Sequence, residues 1–157
     1  MGRPTSFYYQ SPKNCGADNC AQEVLALGTP FLWWLGAIAL AVVIGFWIRS
    51  FAQKLYEPSL NIIIVGIAAG YLPWFFFQER TVFTFYAIVF QPFLILAIVY
   101  CAYALLMHFE NKRNIYVVLG LVAFVIFINF IFFLPLFTGD VITYDSWQAR
   151  MWLPSWI

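Results

Sequence analysis

Long apolar runs alternate with short polar segments along this 157-residue chain. Four stretches contain no Asp, Glu, Lys or Arg, and each can supply the roughly 20 residues that a helix needs to cross a bilayer. Apolar and polar residues do not alternate within them, as they would in a porin-type strand. The pattern therefore predicts four membrane-spanning helices, at about Phe31–Ile48, Ser59–Phe77, Phe83–Met107 and Ile115–Phe137.

Composition supports this prediction and narrows the class of protein. Apolar residues make up 64% of the chain and charged residues 10%, whereas an ordinary soluble domain has about 45–50% and about 25%. The net charge of +1 leaves no basic field that would attract a nucleic-acid partner. We therefore predict an all-α integral membrane protein that is surrounded mainly by the lipid bilayer.

The predicted spans divide the chain into an N-terminal segment over residues 1–30, a four-helix membrane domain over 31–137 and a C-terminal tail over 138–157. An even number of spans places both termini on one side. The two loops on the other side carry basic residues at high density, as cytoplasmic loops usually do. These basic residues are Arg49, Lys54, Lys112 and Arg113. Both termini are therefore expected to be extracytoplasmic.

Two cysteines, Cys15 and Cys20, lie close together in the N-terminal segment. On an oxidising outer face they can form a small disulfide loop, whereas on a reducing face they would stay free thiols. A redox-active pair usually has the C-x-x-C spacing, which this pair lacks. The single histidine, His108, is expected at the opposite face, so a zinc site lacks ligands. We predict a structural disulfide, no metal site, and a packing role for Cys101 in the third span.

A tight outer loop with the sequence FFFQERTVF joins the second and third predicted spans. Glu79 and Arg80 therefore fall at the boundary between membrane and water. A guanidinium at that depth is suited to bind a phosphate, because its fork can hold two oxygens. The alternative is a snorkelling arginine paired with Glu79, and composition alone favours that alternative.

Other notable residues within the spans predict helix packing rather than chemistry. Gln91 and Asn129 can hydrogen-bond between helices, and the spacing of Gly66 and Gly70 permits close helix approach. The spans lack the ionisable groups typical of transporters, and the sequence lacks the common nucleotide, metal and hydrolase motifs. Prolines are expected to kink or end helices at Pro73, Pro92 and Pro135. Interfacial aromatic anchors are expected at Trp33, Trp34, Trp47 and Trp74.

Several long blocks of the sequence resemble one known family. They are MGRPTSFYY, CGADNCAQEVLALGTPFLWW, GIAAGYLPWFFFQERTVFTFYAIVFQPFLILA and the terminal WQARMWLPSWI. In this order they resemble bacterial protein O-mannosyltransferases, the actinobacterial-type relatives of the eukaryotic dolichyl-phosphate-mannose–protein mannosyltransferases. The similarity runs from about Gly2 to Ile157. It implies the C-terminal four-helix membrane domain of a GT-C-type glycosyltransferase.

The resemblance implies a reaction and its participants. Mannose would pass from a polyprenyl-phosphate carrier to Ser or Thr hydroxyls of exported proteins, at the outer face of the bacterial cell membrane. The family's acidic catalytic motif lies in its first outer loop, and no segment of this chain matches it. The chemistry needs a carboxylate base for the hydroxyl proton. We therefore expect no catalytic residue here and dependence on an N-terminal catalytic half.

The position of Met1 extends this expectation, because it matches a site inside the family's sequence, just before GRPTSFYY. We expect a C-terminal fragment, a split-gene product or a truncated gene model that does not transfer mannose alone. The alternative is a non-catalytic membrane partner that supports another glycosyltransferase as a scaffold subunit.

The resemblance also bears on individual residues. It implies that Arg80, beside Glu79, contacts the lipid-linked phosphate and that Tyr86 lines the same site. Arg3 would help to position the acceptor or the carrier, although a solvated tail residue is the favoured interpretation of Arg3. No cofactor is expected beyond polyprenyl-phosphate-mannose, which is the donor substrate.

Overall fold

The computed structural model describes residues 5–12, 19–76 and 84–156. Within these ranges four helices are long and apolar enough to cross a membrane, as the apolar runs predict. They are α1 (Pro30–Ala52), α2 (Pro58–Tyr71, continued to Phe76 by a 3-10 helix), α3 (Gln91–His108) and α4 (Lys112–Thr138). The chain is therefore a mostly helical, multi-pass membrane protein.

Prolines stand at the start of three of these helices, and Pro30 is the first residue of α1. Pro58 and Pro92 occupy the first turns of α2 and α3, where the missing N–H costs no hydrogen bond. The predicted start of the third span at Phe83 was wrong, because a 3-10 helix over Thr84–Val89 precedes α3. Pro92 has no N–H to donate to the carbonyl oxygen of Ile88, so a regular α-helix cannot continue through it from the preceding residues, and α3 begins at Gln91.

The chain folds as two compact units. The helical unit comprises residues 30–82 and 86–124, and the terminal unit comprises residues 1–29, 83–85 and 125–157, each as far as the structure describes them. Helix α4 contributes its first half to the helical unit and its second half to the terminal unit.

Close approach of α2 and α3 organises the helical unit. A Cβ placed on Gly66 would lie 2.2 Å from the Phe93 ring, and one placed on Gly70 would lie 2.9 Å from the Cβ of Phe90. The two glycines therefore face α3 and let it come near, as their spacing predicts. Helices α1, α2 and α3 all contribute buried residues to the core of this unit, namely Ala39, Val43, Leu60, Ile63 and Ala97.

Two polar contacts join neighbouring helices of the same unit. The Nε1–H of Trp47 donates to Oδ1 of Asn61, at 2.8 Å, between α1 and α2. The thiol of Cys101 points to the carbonyl oxygen of Ala39, at 3.7 Å, between α3 and α1. Cys101 is half-buried and free, which agrees with the packing role predicted for it.

The terminal unit contains a small antiparallel sheet that the sequence interpretation missed. Strand β1 (Thr5–Gln10) pairs with β2 (Cys20–Ala26), and β2 pairs in turn with the short β3 (Ile142–Thr143). A short helix, α5 (Tyr144–Gln148), follows β3 directly. Burial alternates along β2, as expected for a strand with one face on a core: Ala21, Glu23 and Leu25 are buried, and the residues between them are half-buried.

The core of the terminal unit joins β2 to the second half of α4 and the residues after it. Its buried members are Ala21, Leu25, Phe133, Leu136, Trp147, Met151 and Trp156. Gly139 ends α4 in a left-handed conformation, with φ of +73°, and a Cβ there would lie 2.8 Å from Val24. The side-chain amide of Gln22 donates to the carbonyl oxygen of Gly139, at 2.8 Å, and so fixes β2 against this turn.

Gly66→Ala is expected to lower the stability of the chain by about 1–3 kcal/mol, because the new methyl group overlaps the Phe93 ring. The melting temperature in detergent micelles measures this change. Gly45→Ala is the matched control, because nothing lies within 4 Å of the added atom there. Equal melting temperatures for the two variants would contradict the close packing, and Phe93→Ala should partly rescue Gly66→Ala.

Candidate functional site

Aromatic residues gather on both sides of the segment 77–83, which contains the predicted phosphate contact. The 3-10 helices Leu72–Phe76 and Thr84–Val89 lead into and out of this segment. Tyr86 packs on Trp74, with ring centroids 4.5 Å apart and a 37° angle between the planes. The indole N–H of Trp74 donates to the carbonyl oxygen of Gly70, at 3.1 Å, and this bond fixes the ring at the end of α2.

Phe90 extends this aromatic group to α1. Its ring meets Tyr71 edge-on at 5.6 Å and Trp33 edge-on at 6.0 Å. Gly70 leaves the room that the Cβ of Phe90 occupies. We call this set the aromatic corner, and its members are Trp33, Tyr71, Trp74, Tyr86 and Phe90. Aromatic side chains at span ends are typical of the membrane–water interface.

The residues singled out by the sequence are only partly covered by this description. Tyr86 is half-buried and belongs to the aromatic corner. Arg3, Glu79, Arg80 and Cys15 lie outside the described residues, so the sites assigned to them stay predictions. Cys20 is buried and disulfide-bonded, but its predicted partner Cys15 is among the undescribed residues.

The described part of the chain brings together no group of three or more His, Cys, Asp or Glu side chains that could hold a metal ion. The two amides singled out within the spans differ in their surroundings. Asn129 of α4 is buried, with 4% of its surface exposed, and Gln91 at the start of α3 is half-buried. Both are consistent with packing.

A buried carboxylate lies in the terminal unit and was not singled out from the sequence. Glu23 is only 5% exposed, and its Oε2 accepts a hydrogen bond from the Nε1–H of Trp147, at 2.5 Å. Tyr9 and Tyr144 pack around the Trp147 ring, with centroids 6.0 Å and 5.3 Å away. A buried polar group needs such a partner, because desolvation without one costs free energy.

Arg150 is a second charged, partly buried residue that was not singled out from the sequence. Its Nε–H donates to the carbonyl oxygen of Phe132 and its Nη1 to that of Ser146, both at 2.6 Å. The Nη1 group also donates to the hydroxyl of Ser146, and the guanidinium lies 4.7 Å from the centre of the Phe132 ring. Burial lowers the pKa of Arg150 from its ordinary value.

Sequence signals for these two residues exist but are weak. Glu23 occupies an inward position of β2 between Ala21 and Leu25, and a strand prediction would have marked it as a buried charge. Arg150 stands in the tail among aromatic residues, in WQARMW, which is an unusual setting for a solvated arginine. Neither signal is visible unless the termini are expected to be ordered.

A family model described as the C-terminal four TMM region of protein-O-mannosyltransferase matches residues 1–156. The chain belongs to this family. The match covers the four membrane helices and the N-terminal and C-terminal residues that form the terminal unit. It confirms the resemblance that the sequence blocks indicate.

Curated relatives carry the name polyprenol-phosphate-mannose–protein mannosyltransferase. The Mycobacterium tuberculosis protein is 34% identical over 94% of this chain, and the Mycolicibacterium smegmatis protein is 32% identical over 94%. The Corynebacterium glutamicum protein is 28% identical over 99%. The chain spans only 28% of the length of the two mycobacterial relatives and 30% of the corynebacterial one. No solved structure matches the chain.

Trp147→Phe is expected to destabilise the terminal unit by about 1–3 kcal/mol, because it leaves the Glu23 carboxylate buried without its donor. Replacing both partners, as Glu23→Leu with Trp147→Phe, should recover most of that loss. Resistance of residues 5–26 to limited proteolysis measures the effect. Trp33→Phe is the control, since the Trp33 ring contacts Phe90 and its indole N–H has no acceptor among the described residues.

Proposed function

We propose that this chain is the C-terminal membrane part of a protein O-mannosyltransferase. The complete enzyme would transfer mannose from polyprenyl-phosphate-mannose to Ser or Thr of exported proteins. The observation that carries this proposal is the family match over residues 1–156, supported by relatives whose name states the donor and the protein acceptor. Because the chain covers less than a third of those relatives, it would act together with an N-terminal catalytic half.

Charge distribution supports an orientation for this assembly in the bacterial cell membrane. The turn between α1 and α2 and the turn between α3 and α4 are flanked by exposed basic residues. These are Arg49, Lys54, Lys112 and Arg113. Such turns favour the cytoplasm, so residues 1–30 and 138–157 would lie outside, where the acceptor proteins emerge. The disulfide at Cys20 fits an oxidising outer compartment.

The proposed role of the chain is to hold the lipid carrier. Arg80, next to Glu79, would bind the phosphate that leaves from C1 of mannose as the acceptor oxygen attacks C1. A carboxylate of the N-terminal half would take the acceptor's hydroxyl proton. The Tyr86–Trp74 pair supports this role, since the two residues flank the segment 77–83 in the sequence and their packed rings offer an apolar surface suited to an isoprenoid chain. Arg3 would lie near the acceptor or carrier.

The surface of α4 supports a membrane-embedded partner. Most side chains between Tyr116 and Ile128 are exposed, and they are almost all apolar. Helices of the N-terminal half would cover part of this surface, and lipid would cover the rest. Co-expression with that half tests the proposal. Co-purification with an otherwise complete glycosyltransferase would instead make the chain a non-catalytic scaffold subunit.

Arg80→Ala in the assembled enzyme is expected to lower mannose transfer by about tenfold or more, because a charge-assisted contact to the leaving phosphate is lost. Transfer to a Ser/Thr peptide and binding of the polyprenyl-phosphate carrier measure the effect. Arg113→Ala, on the opposite side of the membrane, is the matched control and should leave both unchanged. Unaltered carrier affinity and turnover in Arg80→Ala, with an unchanged melting temperature, would refute the assigned role.

A further inference from the structure

Arg150 is held by neutral groups and has donors to spare. A guanidinium carries N–H donors on Nε, Nη1 and Nη2. The carbonyl oxygens of Phe132 and Ser146 and the Ser146 hydroxyl take those of Nε and Nη1. No residue within the described ranges accepts from Nη2, and none of their carboxylates pairs with Arg150. The guanidinium is therefore fixed through Nε and Nη1, while the Nη2 donors are not used by the described residues.

The depth of this group follows from the length of α4. The helix has 27 residues, so it is about 40 Å long, roughly 10 Å longer than the hydrocarbon core of a bilayer. Phe132 precedes the last residue, Thr138, by roughly 9 Å along the axis. A helix centred on the bilayer thus places the Phe132 carbonyl within a few ångströms of the boundary between hydrocarbon and headgroups.

A cation at this boundary is stabilised by a nearby anion. Partial burial lowers the pKa of Arg150, but a guanidinium stays protonated at physiological pH. Contact with the Phe132 ring compensates for part of the lost hydration. The anions that are abundant at this depth are lipid phosphates, and planar bidentate contact with phosphate is the geometry that arginine favours.

We propose that Arg150 binds the phosphate of a membrane lipid through its Nη2 edge, at the boundary reached by the C-terminal end of α4. The Phe132 and Trp152 rings stack with their planes inclined by 30° and their centroids 6.1 Å apart, and they present an apolar surface beside the guanidinium for the lipid's hydrocarbon chain. The ligand is either a polyprenyl phosphate or a bilayer phospholipid, since both carry the same group. This site does not depend on the proposed transferase activity.

Native mass spectrometry of the chain in an uncharged detergent tests the site. The chain is titrated with decaprenyl phosphate, with phosphatidylglycerol, and with dioleoylglycerol, which has no phosphate. We expect both phosphate lipids to bind about tenfold more tightly than dioleoylglycerol. Tighter binding of decaprenyl phosphate than of phosphatidylglycerol would identify the carrier as the ligand, and equal binding would identify bilayer lipid.

Variants distinguish specific binding by Arg150 from a general attraction between basic residues and phosphate. Arg150→Gln should lose about tenfold in affinity for the phosphate lipids, and Arg150→Lys should lose less, because it keeps the charge without the fork. Arg49→Gln removes the same charge from an exposed position in the last turn of α1. Equal losses in Arg49→Gln and Arg150→Gln would overturn the proposal.

The wild-type chain alone can also overturn the proposal, if it does not distinguish the phosphate lipids from dioleoylglycerol. This comparison needs no variant, so it decides the question even if Arg150→Gln fails to fold. The melting temperature of Arg150→Gln shows whether a loss of binding follows from unfolding, and Arg150→Lys then supplies the variant comparison.

Discussion

The fold depends on the requirement that backbone N–H and C=O groups find partners within the chain when they lie in hydrocarbon. Helices satisfy it locally, and prolines are tolerated where a helix begins, as at Pro58 and Pro92. Pro135 is the exception, since it lies inside α4. Pro135 leaves the carbonyl oxygen of Ile131 without its helical donor, and the next carbonyl oxygen, that of Phe132, accepts a hydrogen bond from Arg150.

The same requirement explains why small residues matter so much in the helical unit. Lipid is as apolar as the side chains, so apolar burial hardly drives one helix onto another. Close contact must come from shape, and Gly66 and Gly70 provide it by admitting Phe93 and Phe90. The aromatic corner lies at the end of α2, in the space that Gly70 leaves. Its formation therefore depends on helix packing as well as on the preference of aromatic residues for the membrane–water interface.

The sequence determines the spans more clearly than the termini. Charge-free runs place all four helices, because the bilayer penalises every charge within them. The start of α3 was misplaced because apolar content does not distinguish a 3-10 turn before Pro92 from regular helix. The pairing of β2 with β3 was missed because these strands are far apart in the sequence, and no local pattern reveals that Glu23 meets Trp147. Tyr86 was found by resemblance, and only the structure shows its contact with Trp74.

The distant pairing within the terminal unit has a consequence for biogenesis. Gln22 bonds to Gly139, and β2 pairs with β3, so the N-terminal segment cannot complete its core until α4 and the residues beyond it have been synthesised. Contacts between such distant residues form late, because the loop between them must close first. Residues 5–12 and 19–26 would thus lack their partners while the four helices are inserted. Protease protection of these residues during synthesis should appear only after the residues around Trp147 have been synthesised.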